Sequence, residues 1–284
     1  GLLRGLSLYF VDARGGGVQT LKNIPINLVE SNPHFMLTVP ALSGNFMQKI
    51  IDGVATKGGF VNGIFQMGLN AGKRMFRDGY KKAPWYIQLI NALPYFIANK
   101  MVFSKVRKIF GDSIRYCVGG GALLDIRQQV FFYSLGVPVF QGYGLSEATP
   151  IISANTPEVH KLGTSGKVIP NVEVKIIKSD ETEAETGVQG EIVIRGDNVM
   201  KGYYKNEEAS LNTVRDGWLY TGDLGYFDKD GFLLVVGREK ALLISADGEK
   251  YSPEGIEEAI QNTAELIQQV MVYNDMQKYT TAII

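Results

Sequence analysis

From Ser113 to Gly144 apolar runs alternate with glycine-rich loops in an order that leaves few folds open. Ser113–Val118 reads as a strand, Gly119–Gly120–Gly121 as a loop and Asp125 to Leu135 as a helix. Val137–Phe140 reads as a second strand that runs straight into Gly142–Tyr143–Gly144. Strand, loop, helix, strand, loop is the order of parallel pairing, because parallel neighbours need a crossover rather than a hairpin. The fold class expected is therefore α/β.

Other texture extends this reading. Between Gly1 and about Pro40 the short apolar runs Leu6–Val11 and Met36–Val39 read as buried strands between Gly- and Pro-bearing loops. From Asn45 to Phe110, Met, Phe, Ile and Leu interleave with Lys and Arg, which predicts amphipathic helices broken at Gly58–Gly59, Pro84 and Pro94. After Gly163 the alternation of Val172, Val174 and Ile176 with Glu173 and Lys175 predicts half-buried strands, as do Ile192 and Ile194. Asp228–Gly231 predicts the turn of a hairpin that continues into Phe232–Val236. Ser252 and Pro253 suit a helix cap and first turn, with Glu254 at the positive end. Ile256, Ile260, Ala264 and Ile267 then share one face, and Gln269–Tyr273 and Thr280–Ile284 read as strands.

Composition excludes several classes of function. The 284 residues hold 29 Lys or Arg and 29 Asp or Glu, so no overall positive charge draws the chain to a polyanion, and no nucleic acid is expected as partner. One cysteine, Cys117, and two distant histidines, His34 and His160, cannot build a zinc site or an internal disulfide. The start GLLRGLSLYFVDARGGG lacks the parts of a signal peptide, so a reducing, cytoplasmic setting is expected. Ala83 to Phe103 is the most apolar long stretch, but Gln88, Asn91, Pro94, Asn99 and Lys100 break it. A span needs about 20 largely unbroken apolar residues. A helical hairpin packed on the protein is expected instead, with a peripheral contact on the inner face of a membrane as the alternative.

Three segments carry chemistry. Gly119-Gly-Gly-Ala-Leu-Leu124 follows a strand, where bare backbone lets a flat ligand approach; a tight turn explains the same glycines. Gln141-Gly-Tyr-Gly-Leu-Ser-Glu147 lies at the carboxyl end of a parallel strand, the place where open α/β sheets bind ligands. It offers an aromatic face, a hydroxyl and a carboxylate, although a surface turn is the plainer account. Tyr220-Thr-Gly-Asp-Leu224 faces Gly237-Arg-Glu-Lys240 across the hairpin. There an ionised Asp223 could accept from two sugar hydroxyls, or could simply pair with Arg238.

Taken in this order the segments resemble the adenylate-forming superfamily of AMP-forming acyl-CoA synthetases. The residues that carry the resemblance are GGGALL (119–124), QGYGLSEATP (141–150), GTSGKVIPNVEVKI (163–176), GEIVIRGDNVMKGYY (190–204), DGWLYTGDLGYFDKDGFLLVVGREK (216–240) and GEKYSPEGIEEAI (248–260). The stretch Val102–Gly111, after a long helical insertion, is similar to the long-chain fatty acid–CoA ligase branch.

The resemblance implies a fold and a set of roles. The fold is part of an adenylate-forming N-domain, a mostly parallel α/β subdomain plus a β-rich subdomain, followed by the start of a small α+β domain. The implied boundaries are 1–162, with the insertion at about 45–110, then 163–239, then a hinge and truncated domain at 240–284. Gly120, Gly121 and Ala122 would line an adenine slot with Tyr143 against the ring. Ser146, where the family usually has threonine, would bond the α-phosphate, and Glu147 would bind Mg²⁺. Asp223 would grip the ribose, helped by Arg238, and Lys240 would be the hinge.

ATP, Mg²⁺ and coenzyme A are the implied cofactors and co-substrates, and a long-chain fatty acid is the acid activated. A fatty acyl-AMP ligase feeding a carrier protein and a non-catalytic nucleotide- or acyl-binding fragment are the alternatives. The family's Ser/Thr/Gly-rich phosphate loop and its C-terminal lysine have no counterpart in 1–284. The expectation is thus a fragment, inactive alone. The insertion's apolar faces either line an acyl tunnel or are ordinary core.

Overall fold

Three parallel strands, β1 (Phe35–Thr38), β2 (Tyr116–Gly119) and β3 (Val139–Gly144), lie in that order, with Met36 beside Cys117 and Val118 beside Phe140. The pairing is the one the strand–loop–helix–strand order predicts, and β3 runs on through Gly142–Tyr143–Gly144. In this computed structural model residues 5–121, 124–246, 250–261, 267 and 269–284 are described. They fall into two units: Gly1–Gly142 with Asn155–Gly163, and Tyr143–Ala154 with Thr164–Ile284.

The first unit is mainly helical around its strands. Helices α1 (Gly16–Ser31), α2 (Pro40–Ala55), α3 (Gly59–Phe76) and α4 (Trp85–Ala98) are followed by a five-residue π-helical stretch, Asn99–Phe103, and a short α5 (Ser104–Arg107). Helix α6 (Ile126–Leu135) connects β2 to β3; Asp125 caps it by accepting from the Arg127 amide, and Gly136 ends it in the left-handed region. The core is aromatic. Phe65, Phe103, Phe110 and Phe132 are fully buried, with Phe65 edge-on to Phe103 at 5.7 Å. For the three rings that belong to the insertion, Phe65, Phe103 and Phe110, ordinary core is the reading the structure supports.

Three expectations fail here, each for a local reason. Leu6–Val11 is not a buried strand: it joins no ladder and Phe10 is 88% exposed. It is tied instead to α1, with the Asp12 amide donating to Asn27 and the Asp12 carbonyl accepting from Asn23. Where loops are expected, α1 forms with Pro25 inside it, because Ile24 and Leu28 pack on the core and outweigh the lost backbone bond. Pro94 likewise does not break α4, whose Tyr95 packs edge-on against Phe76 and Phe103.

The second unit is β-rich, as the alternation after Gly163 predicts. β4 (Ile151–Ala154) pairs antiparallel with β5 (Lys167–Val168). A second antiparallel sheet has the order β10–β9–β7–β6, from β6 (Val172–Ile177), β7 (Gly190–Gly196), β9 (Trp218–Phe227) and β10 (Leu233–Arg238). Helix α7 (Glu207–Thr213) leads into β8 (Val214–Arg215), which pairs with β9. The predicted Asp228–Gly231 turn is present, the Asp228 carboxylate accepting from the amides of Asp230 and Phe232. Ile176, Ile192, Ile194, Leu219 and Leu233 form the core. Toward the C-terminus β11 (Leu243–Ser245) and β12 (Lys250–Tyr251) precede α8 (Pro253–Gln261), which starts at the predicted proline. β13 (Met271–Tyr273), β14 (Asp275–Gln277) and β15 (Thr281–Ile283) follow, with β13 and β15 antiparallel. Ala264, assigned to the apolar face of that last helix, lies outside the described residues.

Gly68 sets the approach of α3 to α4. A Cβ there would lie 2.2 Å from the Ala98 Cβ and 2.8 Å from Phe103, both fixed in the packed core. Helix propensity favours alanine over glycine by up to ~1 kcal/mol, while overpacking a core costs roughly 1–3 kcal/mol. The clash should win: Gly68→Ala is expected to lower stability in urea denaturation, whereas Gly63→Ala, where a Cβ meets nothing, should not.

Candidate functional site

In the second unit, β9 carries a bulge that aims one carboxylate. The β7–β9 register shifts between Glu191 and Val193, so Thr221, Gly222 and Asp223 stand where regular pairing is interrupted. Side chains take over the broken ladder. Thr221 donates to the Ile192 carbonyl at 2.7 Å and accepts from the Asp223 amide, while the Gly222 amide donates to Glu191 at 2.9 Å. Gly222 holds φ +68, a conformation that suits glycine. Burial pushes the Glu191 carboxyl up, against the bond from Gly222.

Asp223 is held from two sides. The Tyr143 hydroxyl donates to one carboxylate oxygen at 2.6 Å, and Arg238 Nε donates to the other at 3.0 Å. Asp223 and Arg238 are direct neighbours across β9 and β10, as their places in the sequence predict. The Asp223 side chain is 7% exposed and that of Arg238 68%. The carboxylate itself is thus buried, while the arginine that pairs with it is largely solvated. Each carboxylate oxygen keeps a further lone pair, so two more donors can be accepted. Tyr143 packs its ring on the unit's core; its phenol is pushed well above the usual range by burial and by the Asp223 charge.

Glu147 sits on a short turn, Ser146–Ala148, whose Ser146 is exposed. The turn is clamped: Asn198 donates to the Ala148 carbonyl at 2.8 Å and the Met200 amide donates to the Glu147 carbonyl at 2.8 Å. Tyr203 Oη donates to the Glu147 carboxylate at 2.9 Å, and burial with that charge pushes its phenol up. Among the described residues no three His, Cys, Asp or Glu gather to hold a metal ion. Glu147 can offer one carboxylate, which suits Mg²⁺ only when phosphate and water oxygens fill the other positions. Lys240 lies in the turn Glu239–Ala241 after β10, and nothing about its side chain is described.

The first unit holds Gly120 and Gly121, directly after β2. A Cβ at either would meet nothing within 4 Å, and Gly121 has φ +85. Ala122, the third residue of that slot, lies outside the described residues. The loop's far end is fixed by two buried amides: Gln141 accepts from the Leu124 amide at 3.0 Å, and Gln129 donates to the Leu124 carbonyl at 2.8 Å.

The structure therefore joins Tyr143, Asp223 and Arg238 in one constellation and places Ser146 and Glu147 together on a clamped turn. Sequence reasoning assigned no role to Tyr203, Thr221, Glu191 or Gln129. Three of them lie inside quoted motifs, but nothing in the string says which side chains meet.

Comparison with known proteins follows these motifs. A family profile described as AMP-binding enzyme matches residues 3–204. The long-chain-fatty-acid–CoA ligase FadD15 of Mycobacterium bovis is 34% identical over 188 residues, 66% of this chain and 30% of that protein. The long-chain-fatty-acid–CoA ligase ACSBG1 of Mus musculus is 29% identical over 290 residues, 100% of this chain and 38% of that protein. The O-succinylbenzoate coenzyme A synthetase of Bacillus subtilis in complex with AMP is similar in fold, with TM-score 0.63 and 24% identity over 92% of this chain and 43% of that one. The same enzyme in complex with ATP and magnesium ion matches at TM-score 0.55 and 35% identity over 60% of this chain and 36% of that one. This chain thus spans between 30% and 43% of the length of these relatives.

The Asp223 cluster predicts a stability signature. Removing a hydrogen bond to a charged group costs roughly 1.5–3 kcal/mol when nothing replaces it, whereas water can take the place of the largely solvated Arg238 guanidinium. Tyr143→Phe should therefore lower urea stability more than Arg238→Ala does. An unfolded tyrosine ionises near pH 10, whereas folded Tyr143 keeps its proton above that. The unfolded state then binds fewer protons, so stability falls as pH rises above about 10. Wild type should lose stability there more steeply than Tyr143→Phe, and parallel curves would contradict the assignment.

Proposed function

We propose that this chain, which belongs to the AMP-binding enzyme family, carries the nucleotide-handling part of an AMP-forming acyl-CoA ligase for long-chain fatty acids. The observation that carries the reading is the buried Asp223 carboxylate, held by Tyr143 and by a largely solvated Arg238. A pair of vicinal ribose hydroxyls supplies two donors at the spacing a single carboxylate accepts, and Asp223 retains lone pairs for both.

Other roles follow residue by residue. Ser146, exposed beside Glu147, would donate to the α-phosphate. Glu147, oriented by Tyr203, would hold Mg²⁺ through a carboxylate oxygen. When bound, that ion supplies positive charge against the phosphates. Gly120 and Gly121 would present bare backbone to adenine, and Lys240 would be the hinge residue. The segments 1–162, 163–239 and 240–284 remain the proposed division of the chain, and the cytoplasm the proposed setting.

The chemistry proposed is two transfers. A fatty carboxylate oxygen attacks the α-phosphorus of ATP, and the bond to pyrophosphate breaks. The sulfur of coenzyme A then attacks the acyl carbon; AMP leaves and the thiol proton is lost to solvent or base. Here Asp223 and Tyr143 bind and orient the nucleoside and take no proton. Support for the long-chain acid is the naming of FadD15 and ACSBG1, whereas the Bacillus synthetase is named for an aromatic acid.

The test is product analysis with the protein that carries this sequence, given ATP, Mg²⁺, palmitate and coenzyme A. Palmitoyl-CoA, AMP and pyrophosphate in equal amounts are expected by mass spectrometry. Adenylate formed without thioester, and passed instead to a carrier protein, would point to the acyl-AMP ligase alternative. Nucleotide binding with no pyrophosphate release would leave only a binding role.

A further inference from the structure

Glu191 stands where a regular β-ladder needs no carboxylate. It is the second residue of β7, partly buried, and its Oε1 accepts from the Gly222 amide at 2.9 Å. Gly222 directly precedes Asp223 and holds φ +68, yet a Cβ there would meet nothing within 4 Å. The glycine is therefore needed for its backbone angle and not for space. An angle of that kind persists only where the surroundings fix it. Ladder bonds do not fix it, because the register shifts between Glu191 and Val193. The Asp223 amide is taken by Thr221 Oγ1 at 3.0 Å, within the same strand. Glu191 is the side chain that reaches across from β7 to the residue before Asp223.

An acid at this place works against stability. Burial pushes the Glu191 carboxyl up, and the Glu239 and Asp223 charges add to that push. The Gly222 amide and the Arg215 charge oppose it. Arg215 is exposed and engaged elsewhere, its Nε donating to the Asn212 carbonyl and its guanidinium lying 4.6 Å over the Tyr220 ring. A neutral glutamine would accept the same amide without like charges beside it. What the ionised group adds is a charge-assisted bond, roughly twice as strong as a neutral one. A destabilising group that tightens a bulge next to a ligand-binding residue fits the trade of stability for function.

We propose that Glu191 is a positioning residue for the nucleotide: by holding the Gly222 amide it sets the backbone from which the Asp223 carboxylate meets both Tyr143 and the ribose. This rests on the reading of Asp223 as the ribose acceptor. Its first half, Glu191 keeping Asp223 against Tyr143, can be measured with no nucleotide present.

Tyrosine labelled with ¹³C at Cζ reports that first half in the protein that carries this sequence. The Tyr143 resonance, assigned by its loss in Tyr143→Phe, should move in Glu191→Ala. It should return close to its wild-type place in Glu191→Gln, whose amide oxygen still accepts. Calorimetric titration with AMP reads the second half. Glu191→Ala should weaken binding about tenfold, the lower end for a hydrogen bond to a charged group. Glu191→Gln should recover most of that loss and be at least as stable as wild type in urea at pH 7. A Tyr143 resonance that stays in place in Glu191→Ala would overturn the proposal. So would AMP binding that Asp223→Asn weakens and Glu191→Ala leaves unchanged, since Glu191 would then serve stability alone. AMP binding untouched by Asp223→Asn would instead overturn the reading of Asp223, and the resonance would still decide whether Glu191 holds it.

Discussion

A buried negative charge governs the local design of the second unit. Asp223 stands on the bulged part of β9 with its carboxylate mostly away from water, and such a charge is costly unless paired and hydrogen-bonded. Tyr143 and Arg238 meet that need from separate stretches of chain, one at the end of β3 and one on β10. The bulge needs its own support, and Thr221 with Glu191 replaces the ladder bonds that the irregular register removes. Three motifs far apart in sequence, 141–150, 190–204 and 216–240, are thereby drawn together around one carboxylate. The partners are unequal: a short bond from a half-buried phenol on one side, a solvated guanidinium on the other.

In the same unit, Glu147 follows the same logic with less burial. Its turn is bound to the 196–200 loop through Asn198 and Met200, so the carboxylate is placed by backbone and aimed by Tyr203. Gly144 makes that turn feasible, because a Cβ there would fall 1.7 Å from the Pro150 carbonyl oxygen. No side chain but hydrogen fits that closure. In the first unit the means are different: buried Gln129 and Gln141 fix the end of a glycine loop whose backbone faces open space.

Much of this was legible in the amino-acid string. The strand–loop–helix–strand order from Ser113 to Gly144 fixes parallel pairing, and the Asp228–Gly231 turn brings the Asp223 and Arg238 stretches face to face, although their direct pairing needs a register shift between Val235 and Gly237 that the sequence does not announce. What stayed hidden depends on tertiary context. Pro25 and Pro94 argue against helix locally, yet packing of Leu28 and Tyr95 sustains α1 and α4. Leu6–Val11 has the apolar content of a strand but no ladder neighbour. The contact between Tyr143 and Asp223 spans 80 positions, and periodicity is blind at that range. The apolar run from Ala83 to Phe103 was legible as too broken to span: among the described residues no helix is long and apolar enough to cross a membrane.

Calorimetric titration of this chain with AMP, beside its Asp223→Asn variant, tests the central claim most directly. Asparagine keeps the shape and an acceptor for Tyr143 but removes the charge, so folding should persist by circular dichroism. If Asp223 receives the ribose hydroxyls, affinity should fall about 10- to 100-fold, the worth of hydrogen bonds to a charged group. Equal affinity in the two proteins, with the variant merely less stable, would contradict the account and leave Asp223 as a structural ion pair.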